Sequence, residues 1–204
     1  MANRNSQGIG LKAAMRAGNT SIQGQSKYDI DAGESNAIFN GEPVIVDLNT
    51  STGGYIVTAA AGSAMVGVLN GVTFTDATTL KPTFSNFYPA ATTPANSEDI
   101  TAFVNDDPFQ EYIIASDATL GGTLALRKSK IGLTYATTAA AGSTTTGKSS
   151  IQLGISTGAT TAKQLRVVRV AEDPENQDQT AANCSLVVKV NLHQYTVGSL
   201  ATGI

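Results

Sequence analysis

A chain of 204 residues and 20.9 kDa can bury roughly 70% of its unfolded surface, so it needs no disulfide or metal to fold, and its sole cysteine, Cys184, excludes an internal disulfide. Charged residues make up only 14%, against about a quarter in an average domain, so the polar surface is built from Thr, Ser, Asn, Gln and Gly, which cost less to desolvate than ions. The net charge of −3 is uneven: residues 1–27 hold Arg4, Lys12, Arg16 and Lys27 with no acid, a +4 segment on a body of −7, yet four dispersed charges are not the basic stripe that nucleic acid calls for.

Residues 1–35 read as an extended N-terminal arm, rich in Gly, Asn, Ser and Gln. Only residues 9–17 offer a helical spacing, with Leu11, Ala14 and Met15 on one side, and a helix that short is unstable alone. The arm is expected to order by lying across another subunit. Deleting residues 1–30 should then weaken attachment and leave the body folded. No apolar signal stretch follows Met1 and no window approaches 18 consecutive apolar residues, so the expectation is a soluble chain assembled in the cytoplasm, with no membrane partner.

From Ala37 the pattern becomes short strands between turn clusters, about ten residues apart, as in barrels and sandwiches. Asn40-Gly41 and Asn70-Gly71 are hairpin signals. They separate Ala37-Ile38-Phe39 from the run starting at Pro43, and Met65-Val66-Gly67-Val68-Leu69 from Val72-Thr73-Phe74-Thr75. The middle carries Pro82, Pro89 and Pro94 among Phe84, Phe87 and Tyr88, which predicts a loop pinned by aromatics. Phe109, Glu111, Ile113 and Ala115 alternate along one strand face, and Leu124 to Leu126 suggests a short strand. In the last third, Ile131-Leu133-Tyr135, Ile151-Leu153-Ile155 and Leu186-Val188-Val190-Leu192 alternate at period two. The stretch from Leu165 to Val170 is apolar on both faces apart from Arg166 and Arg169, as a central strand would be. The prediction is an all-β chain, a β-barrel or barrel-like sandwich of about ten short antiparallel strands. Residues 36–130 and 131–204 form two β-regions that could be continuous.

One string matches a phosphate-binding loop: Gly142-Ser143-Thr144-Thr145-Thr146-Gly147-Lys148-Ser149. That loop needs a buried strand before it and a helix after it to aim amides at phosphate. Here Ala136-Thr137-Thr138-Ala139-Ala140-Ala141 precedes it and an alternating strand pattern follows, so the string is read as a Thr-rich loop. His193, the only histidine, lacks a patterned nucleophile and carboxylate and is expected exposed on a strand. Cys184 is expected buried and inert. Asp106-Asp107-Pro108 and Glu172-Asp173-Pro174-Glu175-Asn176 are turn chemistry, with spacing unlike a calcium loop. No cofactor, metal site or catalytic residue is expected, and without tryptophan a sugar-cleaving carboxylate pair is disfavoured.

Several strings follow one order: Ala37-Ile38-Phe39-Asn40-Gly41-Glu42-Pro43-Val44, then Gly54-Tyr55-Ile56, then Val66-Gly67-Val68-Leu69-Asn70-Gly71-Val72-Thr73-Phe74. This resembles the small β-barrel of tailed-bacteriophage head decoration, or capsid cement, proteins. Phe84-Ser85-Asn86-Phe87-Tyr88-Pro89, Phe103-Val104-Asn105-Asp106-Asp107-Pro108-Phe109 and Val187-Val188-Lys189-Val190-Asn191-Leu192-His193-Gln194 resemble segments of a virion structural protein family of marine phages. The resemblance spans about residues 35–195. It implies a non-enzymatic coat component on the outer surface of a virion that binds the major capsid protein and, by analogy, itself as a homo-oligomer such as a trimer. The candidate capsid contacts are Arg4, Lys12, Met15, Arg16 and Lys27. The other readings are a head fibre base or tail protein, and a carbohydrate-binding β-module.

Overall fold

The structure is a computed structural model that describes residues 7–16, 24–49, 53–157, 162–173, 176 and 178–196. In chain order the strands are β1 (Lys12–Arg16), β2 (Ser26–Ile30), β3 (Pro43–Val46), β4 (Ile56–Thr58), β5 (Gly67–Thr75) and β6 (Pro82–Ser85). They continue with β7 (Ile100–Asn105), β8 (Gln110–Ala115), a short helix α1 (Leu124–Lys128), β9 (Thr134–Tyr135), β10 (Leu165–Val170) and β11 (Ser185–Val190). The chain is all-β. One antiparallel sheet runs β1-β8-β11-β10-β9; the other runs β2-β7-β5-β3-β4, with β6 on the far half of β5. Among the described residues no helix is long and apolar enough to cross a membrane.

Period-two patterning makes these strands. In β7, Ile100, Ala102 and Val104 are buried while Thr101, Phe103 and Asn105 are half-exposed, because successive side chains point to opposite faces. The six-stranded sheet curls around its inner face until its edge strands β2 and β4 touch. Ile30, Val44, Ile56, Leu69, Val72 and Val104 fill that interior, and Ile38 and Tyr88 plug it. A second core, with Tyr112, Ile114, Leu165, Val188, Leu153 and Met65, lies under the five-stranded sheet and takes Val68 and Ala59 from the other sheet. Neither sheet closes by a continuous ladder, so the architecture is an open sandwich rather than a barrel.

The N-terminal segment departs from the expected arm. Its described part supplies β1, antiparallel to β8, and β2, antiparallel to β7. The helix expected over residues 9–17 is therefore strand β1. Its partner β8 offers a ladder of backbone bonds that a two-turn helix, with little to bury, cannot match. Leu11 and Ile30 are buried in the two cores.

The Asn-Gly pairs also behave differently from hairpin tips. Asn40-Gly41 does turn: the Glu42 N–H donates to Phe39 O at 3.0 Å with Gly41 at φ +85°. Its flanks, however, pair elsewhere, Ile38 with Tyr88 and β3 with β4 and β5. Asn70-Gly71 lies inside the nine-residue β5, at a register shift against β7, a bulge rather than a tip. Residues 124–126 open helix α1, where Thr123 Oγ1 accepts the Leu126 N–H at 3.3 Å. Leu153 is buried but makes only single bridges, to Ser116 and Thr137. The chain then turns as a 3-10 helix at Ile155–Thr157.

Candidate protein-contact surface

The outer face of the six-stranded sheet divides in two. Toward β3, Ile45 and Val68 pack beneath the five-stranded sheet. Toward β2, β7 and β6 the outer face is open. Because Tyr28 and Ile30 point inward, Lys27 and Asp29 point out, as do Thr101 and Phe103. Cross-strand register sets these residues in rows. Asp29, Thr101, Thr73 and Phe84 form one row; Lys27, Phe103 and Gly71 form the next.

Phe84 is 67% exposed and leans over Gly71. A Cβ at Gly71 would come 2.9 Å from the Phe84 ring, which gives the missing side chain a purpose. The Phe84 and Phe103 centroids lie 6.3 Å apart with planes tilted by 46°, within the range of favourable aromatic pairs. The result is a threonine-lined face with an aromatic centre and Lys27 and Asp29 along one side. Threonine hydroxyls and aromatic rings desolvate cheaply, so this chemistry suits contact with another surface.

The other sequence candidates fall as follows. Lys12 is exposed on β1 opposite Ile113, and Arg16 ends β1 opposite Gln110. Met15 is half-buried; its carbonyl accepts from Gln110 Nε2 at 3.1 Å, and its sulfur lies 3.8 Å from Arg169 Nη2. That arginine also pairs with Glu111 at 2.9 Å. Arg4 lies outside the described residues. The fold thus separates the candidates, three on the edge of one sheet and Lys27 on the outer face of the other.

The phosphate-loop string forms a tight reversal. Ser143 N–H donates to Lys148 O at 2.9 Å and Gly147 N–H to Ser143 O at 2.7 Å, with Gly147 at φ +67°. The Ser143, Gly147 and Ser149 amides are turned into the protein's own carbonyls and those of Thr146 and Lys148 into its hydroxyls, and no helix opens at Lys148. The loop is also fastened to the body, since Asn40 N–H donates to Gly147 O and Asn86 Nδ2 to Thr146 O.

His193 is buried at 2% exposure, not exposed as the alternation suggested. Its Nδ1 accepts the Tyr195 N–H at 3.2 Å, so its Nε2 carries the proton and donates to Asp106 O at 3.0 Å. Burial lowers its pKa. Cys184 is fully buried, and burial raises its pKa to about 11, which leaves no thiolate at neutral pH. Glu42 is buried beside an alanine- and threonine-lined cavity of about 460 Å³. Desolvation raises its pKa against the opposing Phe39 N–H bond to Oε2 at 2.8 Å. No second titratable group lines that cavity to form an acid–base pair with it.

Asp107 closes a turn by accepting the Phe109 N–H at 2.9 Å, and Asp106 accepts the Tyr28 hydroxyl at 2.9 Å. Among the described residues no group of three or more His, Cys, Asp or Glu could hold a metal ion. Phe84 was hidden by the prolines around it, which made its strand read as a loop. Phe103 was readable as the outward partner of the inward Ala102 and Val104. Comparison with known proteins finds no matching family, no matching relative and no matching solved structure.

Proposed function

We propose that this chain is a virion structural protein that decorates a tailed-phage capsid from outside, bridging major capsid protein subunits and stabilising the head. The observation that carries the reading is the open half-face of the six-stranded sheet, where an exposed Phe84 and a half-exposed Phe103 stand among threonines. Aromatics at the centre of a threonine-lined face, with charges only along one side, are the composition of an interface centre with a polar rim. The low charge content of the chain and the resemblance of its strand strings to decoration proteins point the same way. One contact of modest strength suffices for such a protein, because repetition over a shell multiplies it.

Two measurements test the proposal. Electron microscopy of particles from the producing cell is expected to show this chain as density on the shell; density in the tail would move the assignment to another virion part. A Phe84→Ser/Phe103→Ser variant should keep its fold, since both rings lie on the outer face. It should bind shells about thirtyfold more weakly, the effect of losing ~2 kcal/mol at an aromatic anchor. A variant that coats shells as tightly as the parent would remove this face from the contact.

A further inference from the structure

The charges of this chain are segregated. Residues 28–126 carry twelve acids and one base, Lys81, whereas residues 127–169 carry seven bases and no acid. Five of these acids gather at one end of the six-stranded sheet, whereas Glu111, on β8 of the other sheet, is paired with Arg169. Asp29 and Asp31 lie at the end of β2, Glu34 in the loop after it, and Glu98 and Asp99 just before β7. The Tyr55 hydroxyl donates to Asp99 at 3.2 Å. The fields of Asp31 and Asp29 also bear on Tyr55, and those of Glu34 and Asp31 on Tyr88. These carboxylates therefore share one end of the six-stranded sheet.

Three of the bases, Arg127, Lys128 and Lys130, lie on or just past α1, beyond the end of β8, while Lys148 bridges to Asn40 and Arg169 pairs with Glu111. None of the helix residues is buried; Leu124 and Leu126 are 59% and 53% exposed, and Ile131 just past it is 44% exposed. Arg127 and Lys128 end the helix, Lys130 follows, and Arg166 Nη1 reaches Gly132 O at 3.4 Å, joining its charge to the group. A cleft of about 510 Å³ opens between Leu124, Ile131 and Val170, with Glu172 and Asp173 on its wall. A five-residue helix with two outward leucines gains almost nothing from the fold it hangs on. Contiguous exposed apolar residues of this kind mark interaction sites. The cleft wall is mixed in charge, but the helix end beside it, with Leu126 and Lys128 exposed and Lys130 next to them, is apolar and basic and fits an acidic partner, and the chain's own acidic end is one. Among the described residues Lys128, Lys130, Asp31, Glu34 and Asp99 form no intramolecular ion pair, so the two ends do not satisfy one another within one copy.

We propose that the α1 protrusion of one copy docks on the acidic end of β2 and β7 of a second copy. The two patches differ, so the contact is heterologous, and its repetition builds rings or open chains rather than a two-fold dimer. The test uses the full chain, by sedimentation and light scattering over a wide concentration range. Self-association is expected at low salt, with the dissociation constant rising about tenfold or more in high salt as the paired charges are screened. Lys128→Glu/Lys130→Glu and Asp31→Lys/Glu34→Lys variants, checked for native circular dichroism, should each be monomeric. An equimolar mixture of the two should associate again, because each supplies the partner the other lacks. The salt response of the unaltered chain decides the matter even where a variant does not fold. Three results would overturn the proposal: a monomer at every concentration in low salt, association indifferent to salt, or charge-reversed variants that associate like the parent. A chain that stays monomeric but binds duplex DNA through Lys128 and Lys130 would overturn it as well.

Discussion

His193 shows how much one side chain depends on its backbone partners. The imidazole is held between an acceptor, Asp106 O, on Nε2 and a donor, the Tyr195 N–H, on Nδ1. Protonation would place a second proton on Nδ1, where an N–H already points. Burial is the larger cause of the lowered pKa; the backbone bond and the charges of Asp106 and Asp107 oppose it. In the unfolded chain the imidazole titrates near pH 6.5. Below that pH the unfolded state binds a proton the folded state refuses, so stability is complete above about 6.5 and falls as the pH drops through it, by at most ~1.4 kcal/mol per pH unit. Melting temperature should therefore decline from pH 7.5 to 5.5. In His193→Gln, whose amide can make both hydrogen bonds, that decline should be shallower. Equal slopes in the two proteins would place the pH sensitivity elsewhere. The burial of His193 was not legible because alternation was carried past the end of β11. The chain turns at Asn191, where the Asn191 and Leu192 N–H groups both donate to Gln164 O, and the turn resets which side faces inward.

At the scale of elements, the N-terminal strands are the clearest case of tertiary context overriding local pattern. β1 carries Lys12 and Arg16 around three small or flexible residues, Ala13, Ala14 and Met15, and nothing in that string announces a strand. Its reason to exist is β8, whose edge would otherwise present unpaired N–H and C=O groups. The consequence reverses what an arm would predict. Deleting residues 1–30 removes a strand from each sheet and takes Leu11 and Ile30 out of the two cores. At ~1.5–3 kcal/mol for each buried aliphatic side chain, before any ladder bonds are counted, the loss is a large share of a typical stability of ~5–15 kcal/mol. The truncated chain should melt far below the parent or fail to fold, which thermal circular dichroism would show. A truncation that melts like the parent and loses only attachment would restore the arm. By contrast, β8, β10 and β11 were legible, β8 and β11 from period-two alternation, which is a property of the strand alone, and β10 from its run apolar on both faces apart from Arg166 and Arg169. The bulge at Asn70-Gly71 and the helix at α1 were not. An Asn-Gly pair favours positive φ wherever it occurs, and only the partners of β5 decide that the strand runs through.

For the whole molecule, the question is whether two cores make two folding units. The contacts argue for one. β5 places Val68 in the core beneath the five-stranded sheet and Leu69 and Val72 in the other, so neither core can melt without disturbing that strand. The segment after β11 ties the sheets again. Met65 N–H donates to Leu192 O at 3.0 Å and Gln194 N–H to Met65 O at 2.9 Å. The buried amide of Gln194 then acts as a substitute strand for Val46, with Oε1 accepting its N–H at 2.9 Å and Nε2 donating to its C=O at 3.0 Å. Scanning calorimetry should therefore give one endotherm with equal calorimetric and van't Hoff enthalpies. Gln194→Ala removes a partner from two backbone groups of β3, at ~1–3 kcal/mol for a group left unpaired. It should lower that single transition as a whole rather than split it, because the groups it orphans belong to one sheet and the side chain it deletes comes from the segment bound to the other. Two separated endotherms, in the parent or in the variant, would mean that the sheets fold independently and that β5 is a hinge between domains instead of a shared wall.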